Sequence, residues 1–352
     1  MSEQMTSRER IMAAINHEQT DRVPVDYWGV PEITAKLMKH FGTADLRGLY
    51  RAMGLDRIMG IHTPLRPDRE SMWNVKMKSV PLPDGSGYYD EPVSYPIGNY
   101  ETIGEIESNY SWPATDMFDY STVREQCVRL RNEGYAVEGG YISLTYFYEM
   151  IRGTEQMLMD FAADEKLAEH IIYRINEFAS AHTRRILEEA DGLCDITQIT
   201  DDFGAQNNLR VSEAMIDRYV GKYYKANCRM AHEFNVKVFH HDDGAVASLI
   251  PWLIRQGCDI LNPIQWNTPG WDLNFIKKAY GGDLCFHGGI DNQYALPFGN
   301  ADDVKAQVAA CVDALYSDRT GYILAPCHNI QAITPIENIL TMYDFAKSYS
   351  AI

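Results

Sequence analysis

The chain has no run of about 18 consecutive apolar residues, the length a helix needs to cross a membrane. Its N-terminus, MSEQMTSRER, lacks the apolar core of a secretion signal, so a cytoplasmic location is the default expectation. Positive charge is scarce: 32 Lys and Arg stand against 49 Asp and Glu, a formal net charge of -17. Such a surface repels phosphate backbones and acidic lipid, which argues against nucleic acid and membrane as partners. A polyanionic substrate would need basic residues gathered locally. The seven cysteines, Cys127, Cys194, Cys228, Cys258, Cys285, Cys311 and Cys327, are an odd number without close pairs. That suits reduced, mostly buried thiols rather than a disulfide framework. There is no G-x-S-x-G, Walker A or H-E-x-x-H, and no G-x-G-x-x-G after an apolar run, so the common nucleotide-binding and serine-hydrolase chemistries drop out.

What is present is ordinary globular material, 45% apolar and 23% charged, in a chain of 352 residues. The first helix is marked by a capping box at Thr6-x-x-Glu9 and by Ile11, Ala14 and Ile15 on one face, and should end near His17. Eight short apolar runs follow: 22–27, 56–60, 135–139, 195–200, 236–241, 259–264, 284–288 and 322–325. Helical stretches lie between the later ones, at 165–190, 212–233, 244–256 and 301–316. Strands alternating with helices predict an α/β chain folded as one (β/α)8 TIM barrel over 1–352. The stretch 61–120 breaks the rhythm. There Trp73, Val75 and Met77 alternate with polar residues and Pro83-Asp84-Gly85 offers a turn, which predicts a β-hairpin insertion over one barrel mouth.

In such a barrel the strand C-termini build the active site. Five of these ends are rich in polar groups: Asp26-Tyr27-Trp28, the stretch from Thr200 through Asp201 and Asp202 to Gln206, His240-His241-Asp242-Asp243-Gly244, His287-Gly288-Gly289-Ile290-Asp291, and Pro326-Cys327-His328-Asn329. Alternation puts His241 and Asp243 on one side of their strand and His240 and Asp242 on the other, and either pair can face the axis. A His-x-Asp pair can give a nitrogen and an oxygen to zinc, with Cys327 adding a thiolate. Equally, the carboxylates can cap the next helix while the histidines make core hydrogen bonds. Asp201 and Asp202 are candidates for substrate contact or acid–base work, unless one merely caps a turn. His287 can bind substrate or serve as a hydrogen-bonded core histidine. Tyr27, Trp28, Tyr146 and Gln206 are further candidates for substrate contact, and Tyr141, Phe147 and Tyr148 for an apolar wall. Cys327 and His328 are adjacent, so they point apart and do not make a nucleophile–base pair.

Three segments in this order resemble the uroporphyrinogen decarboxylase superfamily: Ser7-Arg8-Glu9-Arg10 with Asp21-Arg22-Val23-Pro24-Val25, the H-x-[CD]-G stretch at His241 to Gly244, and Gly321 through Ala325-Pro326-Cys327-His328-Asn329 to Ile330. They are most similar to its cobalamin-linked methyltransferase branch. The resemblance implies a (β/α)8 barrel. The decarboxylases' N-terminal arginines and second-strand aspartate are missing from Tyr27 to Glu32 and from Gly60 to Thr63, and only His328 matches the decarboxylase pattern. In the methyltransferase branch zinc is held by a His-x-Cys pair and a later cysteine. His241 and Cys327 match, with Asp243 in place of the other cysteine, which makes a bound metal harder and more electrophilic.

The resemblance therefore implies a zinc-dependent methyltransferase that moves a methyl group between a small O- or N-methyl compound and cobalamin carried by a separate corrinoid protein. His241, Asp243 and Cys327 would hold the metal, and Asp201, Asp202 or His328 would orient substrate or supply a proton. The alternatives are a metal-free lyase or decarboxylase of a small carboxylic acid, and a non-catalytic binder of a small molecule or corrinoid.

Overall fold

The computed structural model describes residues 5–67, 71–81 and 87–351. Its strands are β1 (Ile58–Gly60), β2 (Met77–Pro81), β3 (Tyr88–Pro92), β4 (Ala136–Ser143), β5 (Ile196–Thr200), β6 (Lys237–His241), β7 (Ile260–Asn262), β8 (Cys285–Ile290) and β9 (Tyr322–Pro326). Seven make one parallel sheet in the order β1-β4-β5-β6-β7-β8-β9, and each coincides with an expected run. The fold is a barrel-type α/β architecture, with helices such as Glu165–Ala190 and Ala301–Leu315 supplying the crossovers that parallel neighbours require.

The eighth expected run, 22–27, forms no ladder. It meets β9 through one parallel bridge, Val25 to Leu324, with Asp26 N donating to Leu324 O and Leu324 N to Pro24 O, both at 2.9 Å. Toward β1 it has one backbone bond, Asp56 N to Val25 O at 2.7 Å. The cause is twofold: Pro24 has no N–H to give, and the Asp56 carboxylate, 31 residues on, takes the Val25 N–H at 3.1 Å. The sheet is therefore left open between this segment and β1.

The first helix, Ser7–Ile15, carries the expected capping box of Thr6 and Glu9. It closes the lower end of the barrel. Ile11, Ala14 and Ile15 pack with Ile58, Ala136, Ile196, Ile260, Cys285 and Ile323, one residue from each of six strands. Buried Arg10 fixes it there by ion pairs to Asp56 at 2.5 Å and Asp21 at 2.6 Å. With that end plugged, the opposite end holds the openings.

Two expected helices start differently. The helix expected from residue 244 begins as a single tight turn at Ala247–Leu249 and continues as Ile250–Gln256, because Gly244 sits at φ +95°, outside helical space. The stretch 212–233 is helical but widened by a π-turn at Asp217–Gly221. The expected hairpin is β2 paired antiparallel with β3, Met77 opposite Pro92. Its Pro83-Asp84-Gly85 turn lies outside the described residues. Trp73 is no part of the alternating strand: it is buried against Phe147 and Phe178 in the main core. All seven cysteines are free and buried. No helix among the described residues is long and apolar enough to cross a membrane.

Candidate active site

At the open end, the loops after β5 and β6 lie against each other because two positions have no side chain. A Cβ on Gly204 would come within 1.9 Å of Asp243 O, and one on Gly244 within 2.5 Å of Ala205 O. Ala245 N donates to Ala205 O at 2.9 Å and Gly244 N to Gln265 Oε1 at 2.7 Å, which fixes the turn that carries Asp243. The alternation has a definite phase. His240 and Asp242 are fully buried between the sheet and the helices, where Tyr224 OH meets His240 Nδ1 at 3.0 Å and Asp242 accepts from Phe203 N and Gly204 N. His241 and Asp243 face the open end.

There Asp243 Oδ2 stands 3.7 Å from both His241 Nε2 and His328 Nε2. Among the described residues, His241, Asp243 and His328 are the group whose ligand atoms all fall within 4.8 Å of one another. Zinc bonds of about 2.0–2.2 Å put tetrahedral ligand atoms roughly 3.3–3.6 Å apart, so the two Asp243 separations are close to those of a zinc site. Two nitrogens and an oxygen suit zinc or another borderline divalent ion. Burial and the neighbouring His241 hold the His328 ring below the ordinary histidine range, although Asp243 and Asp202 pull the other way.

Cys327, expected as the third ligand, is not in this group. Its amide still follows the β8–β9 ladder, donating to Ile290 O at 2.9 Å, and its thiol turns inward to Ile264 O at 3.5 Å. Burial pushes that thiol well above its ordinary range. His328, one residue on, has left the ladder and swings over the open end.

His241 is held from behind by a chain the sequence reading did not find. Its Nδ1–H donates to Asn262 Oδ1 at 2.5 Å, Asn262 Nδ2 donates to His287 Nδ1 at 2.7 Å, and His287 Nε2–H donates to Asp26 Oδ2 at 3.1 Å. Burial works to raise the Asp26 carboxyl, but Arg57 and the His287 bond hold it below its usual range. As an anion Asp26 can only accept, so the proton positions follow down the chain and leave the His241 Nε2 lone pair facing Asp243. The end of β7 is not among the five polar strand ends, and Asn262 carries no ionisable group. Its place at a strand C-terminus was the available signal.

His287 is thus a positioning residue rather than a substrate contact: it is fully buried and both ring nitrogens are engaged. Asp201 is likewise an anchor. It accepts from the amides of Leu144, Thr145 and Tyr146 and from the hydroxyls of Ser143 and Thr145, fixing the start of helix Leu144–Arg152. Burial pushes its carboxyl up to about 6 against the pull of these donors. Asp202 stays partly open, and its charge acts on His328, Tyr141 and Tyr146.

A cavity of about 800 Å³ opens above the three-residue group, lined by Asp243, His328, Cys327 and the carboxamides of Gln206, Gln265, Asn292, Gln293 and Gln331. No Lys or Arg is among the described residues lining it. Tyr89 from the hairpin, Tyr294 and Phe298 stand exposed on its rim. Tyr27 and Trp28 line a separate cavity of about 570 Å³, and Tyr146 is half-exposed, packed on Phe147.

Residues 123–349 match the family model described as uroporphyrinogen decarboxylase (URO-D). The chain belongs to the uroporphyrinogen decarboxylase family. The matched span holds β4 to β9 with all three residues of the candidate metal group, and it omits 22–30 and the hairpin. Among solved structures this family member is similar to a methyltransferase from Methanosarcina mazei, at 17% identity and a TM-score of 0.72 over 98% of this chain and 99% of that one. At that identity the likeness shows the fold. It also matches xylanase XynB from Paenibacillus barcinonensis (13% identity, TM-score 0.38, 61% and 72% covered) and a D-psicose 3-epimerase (11%, 0.39, 66% and 83%). With TM-scores this low, neither carries an argument. No curated protein matches the chain.

Proposed function

We propose that the protein is a methyltransferase that takes a methyl group from a small O- or N-methyl compound and passes it to cobalamin carried by a separate corrinoid protein. The observation that carries this reading is the His241, Asp243 and His328 group, of which Asp243 and His328 line a cavity with no Lys or Arg in its described lining. A carboxylate substrate would find no Lys or Arg to pair with there, which disfavours a metal-free decarboxylase of small acids. The solved methyltransferase of like fold is consistent with methyl transfer.

A methyl ether or amine has a basic leaving atom. Zinc bound by the three residues would supply Lewis acidity at that atom. His241, fixed through Asn262, keeps its Nε2 directed at the site, and Asp243 sets the spacing between the two rings. The carboxamides of Gln206, Asn292 and Gln331 can hydrogen-bond a polar substrate, and the charge of Asp202 bears on the His328 ring beside it. The exposed aromatic rim offers an uncharged collar against which a corrinoid protein can dock.

The test is methyl transfer from a panel of methyl ethers and methylamines to cob(I)alamin, followed by the absorbance change of the corrinoid. Transfer that is lost on chelation and restored by zinc is expected. Absence of transfer with every donor by the zinc-loaded protein would overturn the reading.

A further inference from the structure

The open edge of the sheet is itself a site. Beyond the Asp56–Val25 bond, no backbone bond links 26–29 to β1 among the described residues. Instead the Arg57 guanidinium spans the gap, donating to the Asp26 carboxylate and to Tyr27 O. A side chain wedged where a ladder bond would run keeps the two backbones apart. The cavity of about 570 Å³ occupies this seam. Pro31, Met38 and Leu46 flank its outer end, and Trp28, Phe239 and Glu138 lie further in, on or beside the barrel strands.

Trp28 separates this cavity from the candidate metal group. It is lining on one side, and on the other its ring centre lies 5.4 Å from that of His241, with Nε1 tethered to Asp26 at 3.2 Å. Phe239, two residues before His241 on β6, backs the same wall. The seam thus leads to the rear of His241, while the mouth cavity leads to Asp243 and His328.

We propose that a small uncharged molecule with an apolar body and one ether, hydroxyl or amide end binds in the seam cavity. This rests on the methyl-transfer reading in one respect: if a corrinoid protein covers the mouth, the small methyl compound is taken up at the seam, behind the Trp28 wall, before it meets the metal group and the mouth carboxamides. The chemistry of the lining fits that class. Arg57 is already neutralised by Asp26, so no free positive charge awaits an acid. Glu138 accepts from Gln198 Nε2 at 2.9 Å through one oxygen, and its other oxygen has no hydrogen-bond partner among the described residues. Burial pushes the Glu138 carboxyl up to about 7, so near neutrality it can donate to an ether or carbonyl oxygen. Trp28, Phe239 and Met38 supply apolar lining, beside the polar Gln198, Thr34 and Asn329.

The test uses 2-methoxyphenol as the probe, titrated calorimetrically against the full chain. Gly60 lines the seam with nothing within 4 Å of a Cβ placed there, and Ala35 is an exposed helix position at the same cavity. Gly60→Phe and Ala35→Trp, filling the seam from β1 and from the helix Pro31–Phe41, should each weaken binding by about tenfold or more. Ile333→Trp, at the rim of the mouth, should leave it within about twofold. Metal content and unfolding temperature, measured on all three, exclude loss of fold as the cause. The proposal is overturned if both folded seam variants bind as the parent does, or if the mouth variant alone loses the probe. Binding is read without turnover, so failure of transfer to cob(I)alamin would sink the functional reading and leave this contrast intact.

Discussion

His241 Nδ1 donates to Asn262 Oδ1 at 2.5 Å, joining the end of β6 to the end of β7. Asn262 is fully buried and has no charge to offer, yet it decides which nitrogen of His241 faces Asp243. Asn262→Ala should therefore weaken zinc affinity by about 10–100-fold, the usual cost of losing a partner that orients a ligand. Competition with a chelator measures it. Unchanged affinity would show that His241 is oriented by something else.

The ligand set makes a contrast between neighbours. His241→Ala, Asp243→Ala and His328→Ala should each lower the zinc that copurifies, whereas Cys327→Ser, whose thiol points at Ile264 O, should retain it. Elemental analysis with circular dichroism as a folding control reads this out. Loss of metal in Cys327→Ser alone would return the third position to the cysteine. His240→Ala should leave metal content unchanged, since its ring lies between the sheet and Tyr224.

Asp201 should matter for stability rather than for turnover directly. Asp201→Ala leaves five donors without their acceptor and should cost about 3 kcal/mol or more in urea unfolding. Asp201→Asn keeps one acceptor oxygen and should cost less. Equal, small effects would mean that helix Leu144–Arg152 does not depend on this anchor.

Glu138 gives the fold a pH signature. Its folded value of about 7 lies above the ordinary 4.5. Between these values the unfolded chain has released its proton and the folded chain has not, so this contribution to stability declines as pH rises from about 4.5 to 7 and is flat above. Glu138→Gln should remove that slope and make the protein more stable at pH 8, by on the order of 2 kcal/mol. Denaturant midpoints at pH 5 and pH 8, compared between the two proteins, test it. A parallel slope in Glu138→Gln would assign the effect to another group.

What the sequence determined is what depends on neighbours in the chain. Strand and helix periodicities are local, so the seven paired strands, the helix Glu165–Ala190 and the Thr6 cap were legible, as was the division of His241 and Asp243 from His240 and Asp242. Which of those two pairs faces the open end was settled by packing. The tertiary structure alone decided which distant side chains meet. The change from Cys327 to His328 turns on where the β9 ladder ends, and the chain from Asp26 to His241 needs four segments separated by up to 261 residues to arrive in register. The seam was hidden for the same reason. Residues 22–27 read as a strand, but a proline without an N–H, a carboxylate taking the Val25 amide and an arginine wedged across the gap withdraw it from the ladder, and those partners are brought together only by folding.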